Sequence, residues 1–448
     1  MLNNGFIFDY AKCVGCSACR VACYNENKTN PPIAWRQINS LNKKKIPLSG
    51  FINLSIACNH CIDAPCIKSC PANAYKRDEV TGAVIHQSEK CIGCKYCTWA
   101  CPFDAPKYNE SKGTVEKCQL CNHLVSKGLS PACATLCPTG ALSFGLIDLE
   151  EQTDNFGIPI TGNSPKIRLI NSNVKESVPL VDATISGFES EKIVFEKNLE
   201  KIKATEEWPL ALFTLIFSFL IGWFSSFWLT HTSQSHRFTF FSIGLFGILL
   251  STMHLGKPFR AYRSIFNVKS SWLSREILFC GLFFSLSSIF LFFSCSIYIF
   301  IISLISGFIL LLSIEKVYSV TKKKYRFVIH SSNTILTSAV FCFYFNGLTK
   351  LLVIVIVAKT LIYIFHKSKE SRFRNYMFPF IIVRIILGQV LPLGIVFFSN
   401  TANQGLLLLL LILGETIDRF EFYGDIGTYS PSLVLSNFIK NKIKEVNR

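Results

Sequence analysis

The sequence predicts two unlike parts in one chain: an α+β cysteine-rich module, then an all-α transmembrane bundle of about eight helices. Three observations predict this. Sixteen of the 19 cysteines fall between Cys13 and Cys137. Most of the 40 phenylalanines, and nearly all the long apolar runs, come after Trp208. Between the two lies a stretch with few apolar runs and many Asn, Ser, Glu and Lys. These shifts place the boundaries at 1–147 for the module, 148–206 for an extension and linker, 207–424 for the bundle and 425–448 for a basic tail. A chain of 448 residues has room for that many parts.

The module's apolar pieces are short and strand-like, at Gly5–Asp9, Gly50–Ala57 and Val84–His86. Its cysteines form a repeat of four quartets: Cys13, Cys16, Cys19, Cys23; Cys58, Cys61, Cys66, Cys70; Cys91, Cys94, Cys97, Cys101; and Cys118, Cys121, Cys133, Cys137. Each quartet ends in a three-residue gap, and proline follows Cys70, Cys101 and Cys137. The first and third have the spacing of the bacterial ferredoxin run, in which three close thiolates wrap one 4Fe–4S cube and the fourth reaches a partner cube. A two-residue gap lets the backbone curl around a cluster and turn its amides toward the sulfurs. Structural zinc uses paired Cys-x2-Cys without a third cysteine at the same spacing. A disulfide framework suits small secreted scaffolds rather than cysteines too close to pair locally. The module therefore reads as ferredoxin-like. Cys280, Cys295 and Cys342 stand singly in apolar helices and read as small buried hydrophobes.

From Pro209 the apolar sequence comes in blocks at about 209–255, 277–314, 327–366 and 377–417, each long enough for two helices of roughly 20 residues. Polar breaks near Ser233–Arg237, Ser294–Ser296, Asn346–Lys350 and Asn400–Gln404 split them into four hairpins. The net charge of +17 then belongs to basic loops beside a bilayer. No aromatic-interleaved basic patch or phosphate-cradling glycine loop argues for nucleic acid, and none is expected as a partner. Residues 1–12 lack a cationic region followed by an apolar stretch, and no twin arginine precedes Cys13, so no secretory leader is predicted.

The module resembles, over residues 6–147, the electron-transfer subunits of molybdopterin oxidoreductases. That resemblance implies four 4Fe–4S clusters with swapped fourth ligands. One set is Cys13, Cys16, Cys19 and Cys137, and its neighbour is Cys23, Cys118, Cys121 and Cys133. The third is Cys58, Cys61, Cys66 and Cys101, and the fourth is Cys91, Cys94, Cys97 and Cys70. No ligand position is replaced, so no three-iron centre is expected.

The second half carries Glu207-Trp208-Pro209-Leu210, His254-Leu255-Gly256-Lys257-Pro258-Phe259-Arg260-Ala261, Ser271-Trp272-Leu273-Ser274-Arg275-Glu276, and Gly414-Glu415 with Arg419 and Phe422-Tyr423. Over residues 207–424 this resembles the eight-helix anchor subunit of dimethyl sulfoxide reductase. The family implies menaquinol oxidation to menaquinone at the anchor, without haem, and a separate molybdopterin catalytic subunit as partner. The residues permit it. A quinol must lose two protons with its two electrons, and His254 and Glu276, flanking one short loop, are suited to accept them. Arg260, Arg263 and Arg275 are placed to orient or tune that pocket. His254 as a helix cap and Glu276 paired to a loop arginine is the plain alternative. Lys359 and Arg384, inside apolar helices, read as a proton path or as buried ion pairs. A haem would require His254 and His330 to face each other, and none is expected.

With eight helices, both ends and the loops after the second, fourth and sixth share a side. Those loops hold Lys257, Arg260, Arg263, Lys269 and Arg275; Lys316, Lys322, Lys323, Lys324 and Arg326; and Lys367, Lys369, Arg372 and Arg374. The charge rule puts that side, and the cluster module with it, in the cytoplasm of a cell (inner) membrane protein. The family pattern puts it in the periplasm. Two other functions compete with quinol oxidation. One is a quinone-reducing subunit of a formate or sulfur-compound dehydrogenase. The other is a redox-coupled ion transporter, which predicts charges spread along several broken helices.

Overall fold

The computed structural model describes residues 2–41, 52–148, 164–170, 172, 205–229, 233–293, 296–320, 330–369, 378–398 and 403–426. The basic loops at 321–329 and 370–377, the tail beyond Ile426 and Cys295 lie outside them. The chain divides into two compact units, the second spanning Ile202–Gly427.

In the first unit, strand β1 (Leu2–Asp9) is the centre of a three-stranded sheet. β8 (Leu142–Asp148) lies antiparallel on one side, with Phe6 opposite Phe144. β9 (Ile167–Ile170) lies parallel on the other, with Phe6 opposite Ile167. Phe6 and Phe8, two residues apart and so on one face, are buried beneath it. Three hairpins follow the first quartet: β2 (Gln37–Leu41) with β3 (Ile52–Ile56), β4 (Tyr75–Arg77) with β5 (Val84–His86), and β6 (Lys107–Asn109) with β7 (Thr114–Glu116). The helices are short: α1 (Ala18–Asn27), α2 (Pro65–Ser69), α3 (Tyr96–Ala100), α4 (Asn122–Val125) and α5 (Ala132–Thr135). α1 packs on α5 and α2 on α3, which joins distant quartets in pairs.

The stretch 148–206, read as extension and linker, contains one strand of the module's sheet. β9 lies inside that stretch and completes the module's sheet, with Ile167 and Leu169 buried. Four residues of alternation in a polar surround carry little periodic signal, and only the pairing with β1 reveals the strand.

The second unit is helical. α6 (Trp208–Phe224) and α7 (Gln234–Met253) are followed by a 3-10 segment, Pro258–Ile265. α8 (Trp272–Phe292), α9 (Ile297–Val317), α10 (Thr334–Phe345) and α11 (Thr349–Lys369) come next. α12 (Phe378–Ile385) runs through a π segment, Ile386–Val390, into α13 (Leu391–Phe398), and α14 is Gln404–Asp425. Among the described residues, four helical stretches are long and apolar enough to cross a membrane: Gln234–Met253, Trp272–Phe292, Ile297–Val320 and Ile381–Phe398. Trp208–Phe224 and Thr334–Phe345 are apolar but shorter.

α10 departs from the expected length. Its 12 residues rise about 18 Å, against a hydrocarbon core of about 30 Å. Its start is set by Asn333, whose side chain accepts from the amides of Ile335 and Leu336, and by Ser331 and Thr334, which bond to neighbouring helices.

Phenylalanine fills the interior. Phe217, Phe224, Phe240 and Phe283 are fully buried and meet edge to face or tilted. Helices approach closely at small residues. A Cβ on Gly222 would stand 2.7 Å from the Ser338 carbonyl oxygen, and one on Gly388 2.8 Å from the Gly414 Cα.

Candidate functional site

The sixteen module cysteines are free of disulfides. They gather in four groups, and in each group one thiol comes from a different quartet. Cys13, Cys16, Cys19 and Cys137 neighbour one another, because β8 pairs with β1 and returns Cys137 to the amino-terminal loop. Cys23 stands with Cys118, Cys121 and Cys133, joined by the packing of α1 on α5. Cys58, Cys61, Cys66 and Cys101 line one recess. Cys70 stands with Cys91, Cys94 and Cys97, and Cys70 and Cys101 end the mutually packed helices α2 and α3.

The backbone is shaped for sulfur. The residue before the second cysteine has positive φ in every quartet: Gly15 at 72°, His60 at 45°, Gly93 at 74° and Leu120 at 65°. A left-handed residue there turns the next amides inward. The Gly93 and Leu120 amides donate to Cys91 and Cys118 Sγ at 3.4 Å, and the Ala74 amide to Cys70 Sγ at 3.3 Å. Asn53 Nδ2 donates to the Cys13 carbonyl, and a Cβ on Gly15 would meet that side chain at 2.8 Å.

Burial pushes the Cys23 thiol up to about 12 and Cys70 up to about 11, and raises Cys61, Cys66 and Cys94 as well. At Cys137 amide and hydroxyl donors from Leu142 and Thr139 outweigh burial and hold the thiol below its usual value. Buried thiols in fours ionise together only with positive charge among them, which iron supplies. A single zinc, with Zn–S of about 2.3 Å, draws its sulfurs to about 3.8 Å apart. Among the described residues no His, Cys, Asp or Glu group is close enough for one ion. The donor set fits a multi-iron cluster.

In the second unit the predicted residues lie on two helices and the segment between them. His254 caps the end of α7 and is half-buried, while Glu276, one turn into α8, is 5% exposed. The 3-10 segment carrying Arg260 and Arg263 packs against both helices. Arg275 turns away from Glu276. It donates to the carbonyls of Val268 and Lys269 and stacks on Trp272, as adjacent helix positions point to different faces. The cation acting on Glu276 is Arg419, on α14, and Tyr318 and Tyr423 are also its neighbours.

Lys359 and Arg384 are paired: Lys359 Nζ stands 2.6 Å from Glu415, and Arg384 2.6 Å from Asp418. Thr337 donates to Glu415 and Ser331 to Asp418. Arg419 donates to Thr214 Oγ1 and the Ser332 carbonyl, and Tyr318 and Tyr423 share a hydrogen bond. His330, the second histidine of the haem alternative, is engaged by Glu315 at 3.0 Å and stacked on Phe422. Sequence reasoning missed Glu315 and Asp418. The available signal was Glu415, Asp418, Arg419 and Phe422 at i, i+3, i+4 and i+7, one stripe on one helix.

Thiols in four groups and an apolar helical unit with a charged interior define an iron–sulfur electron-transport protein attached to a membrane. Residues 51–147 match the 4Fe-4S dicluster domain, and residues 203–391 match the DMSO reductase anchor subunit (DmsC). The protein is 39% identical over 153 residues to the B subunit of the anaerobic dimethyl sulfoxide reductase of Escherichia coli, covering 32% of this sequence and 74% of that one. It is 38% identical over 155 residues to the thiosulfate reductase electron transfer subunit of Salmonella typhi, covering 34% and 80%. It is 31% identical over 195 residues to the arsenate respiratory reductase iron-sulfur subunit of a Shewanella species, covering 33% and 83%. The chain belongs to the dimethyl sulfoxide reductase family, with an iron–sulfur part and an anchor part fused in one polypeptide.

Proposed function

We propose that this chain oxidises menaquinol in its helical part and passes the electrons through four 4Fe–4S clusters to a separate molybdopterin catalytic subunit. The observation that carries this reading is the gathering of all sixteen module cysteines into four groups, in a chain whose other half matches a reductase anchor. The ligand sets are Cys13, Cys16, Cys19, Cys137; Cys23, Cys118, Cys121, Cys133; Cys58, Cys61, Cys66, Cys101; and Cys70, Cys91, Cys94, Cys97. Clusters so held supply one-electron carriers. The chain's own residues supply the rest. Left-handed loop residues aim amides at sulfur, and helix packing brings the distant fourth thiol. Glu276 and His254 accept the protons of a quinol at the His254–Glu276 loop.

Iron and sulfide analysis of the anaerobically purified chain, with low-temperature EPR, tests the cluster reading. The expected result is about sixteen irons per chain and no three-iron signal. Stoichiometric zinc, or a native three-iron signal, would sink it.

The reading also makes the helical segments one multi-pass bundle with its basic loops on the cytoplasmic side. Reporter fusions at Lys323 and Ser371 are expected to read cytoplasmic, and fusions at Ser294 and Ser296 to read the opposite side. An outside signal at Lys323 would give the membrane the family's orientation instead.

A further inference from the structure

Two basic side chains in the cluster module lie where charge is costly. Arg36 and Lys117 are 2% and 1% exposed. Among the described residues no carboxylate lies within ion-pair distance of either. A buried cation without a counter-charge is strongly unfavourable, so each must have one of another kind.

Both sit where two thiol groups meet. Arg36 lies over the Phe6 ring at 4.6 Å and donates to Ser55 Oγ at 3.2 Å, and Ser55 Oγ is 3.3 Å from Cys19 Sγ. The thiols acting on Arg36 are Cys133, Cys118, Cys19 and Cys23, drawn from two groups, and its Nε has no hydrogen-bond acceptor. Lys117 lines the recess of Cys58, Cys61, Cys66 and Cys101. Its Nζ donates to the carbonyls of Val84 and Cys118, the latter at 2.8 Å.

We propose that Arg36 and Lys117 are counter-charges built into the electron path, each lying between two neighbouring clusters and raising the reduction potential of both. Arg36 serves the Cys19 cluster and the Cys23–Cys118–Cys133 cluster. Lys117 serves that second cluster and the one held by Cys58, Cys61, Cys66 and Cys101. The inference rests on the four-cluster reading above. Each transfer adds one electron to a site already made negative by four thiolates, with no bond made or broken. A fixed positive charge in a low-dielectric interior favours the reduced state, and bulk salt screens it little. The Phe6 ring and the two carbonyls hold these cations in place, and because the interaction falls with distance their effect is largest on the adjacent pair.

The test uses the full chain in detergent, carrying Arg36→Gln or Lys117→Gln, with Arg36→Lys and Lys117→Arg as charge-preserving partners. EPR-monitored redox titration is read after iron analysis. Each Gln variant is expected to shift the oxidised-to-reduced ratio at least tenfold in two clusters, about 59 mV downward for one electron. The other two clusters stay put, and the charge-preserving variants stay close to wild type. Unchanged midpoints at full iron content overturn the proposal, as does an equal shift in the charge-preserving variants. Should the Gln variants fail to take iron, full iron and wild-type midpoints in Arg36→Lys and Lys117→Arg sustain it. Loss of iron there too overturns it, since shape rather than charge is then what the site requires. Wild-type iron analysis reports separately on the four-cluster reading, so the two failures are told apart.

Discussion

Replacing Glu276 by Gln is expected to slow menaquinol-driven reduction of the clusters by about 10²–10⁴-fold, the usual cost of losing a placed acid–base group. Glutamine keeps the shape and hydrogen-bonding capacity of the side chain and removes only its ability to take a proton. Glu276 is 5% exposed, and the nearby groups Arg419, Tyr318 and Tyr423 come from other helices rather than from its own loop. His254→Ala is expected to slow the same step by at least the lower end of that range, since His254 closes α7 beside the loop that α8 follows. Dithionite reduction and iron content should be unchanged in both, because neither residue is a proposed ligand. Stopped-flow bleaching of the cluster absorbance on adding a menaquinol analogue measures the effect. Wild-type rates in both variants would move the quinol site elsewhere. The next place to look is the recess lined by Lys359, Arg384, Gln389 and Glu415.

Asp418→Ala is expected to destabilise the helical unit by about 3–5 kcal/mol, the cost of breaking a buried ion pair from one side. The Arg384 and Asp418 side chains are 3% and 4% exposed, so removing the carboxylate strands a guanidinium in an apolar interior. It also deprives Ser331 of its acceptor. Removing both charges, as Asp418→Leu with Arg384→Met, should restore most of the loss, because two apolar side chains of similar volume need no counter-charge. Unfolding of the purified protein by denaturing detergent, followed by tryptophan fluorescence, gives the comparison. A single variant within about 1 kcal/mol of wild type would mean that water or another base already serves Arg384.

What the sequence determines by itself is whatever depends on near neighbours. Cysteines separated by two residues announce a metal-wrapping loop, because that spacing acts within one turn of chain. Runs of apolar residues announce membrane helices, because each must satisfy its own backbone in lipid. The strand-like pieces at Gly5–Asp9 and Val84–His86 follow from local alternation, and the structure holds strands at Leu2–Asp9 and Val84–His86. Tertiary structure decided whatever depends on partners far along the chain. β9 is four residues long and exists through its pairing with β1. α10 begins only at Thr334 because Ser331 and Thr334, before and at its start, answer Asp418 and Glu315 on other helices. Lys359 and Glu415 are 56 positions apart, and Glu276 and Arg419 farther still. The sequence shows that such charges lie in apolar helices, and therefore that each needs a partner. Helix packing chooses the partner, since it alone sets which buried faces meet in a medium too poor in polar groups to leave a charge alone.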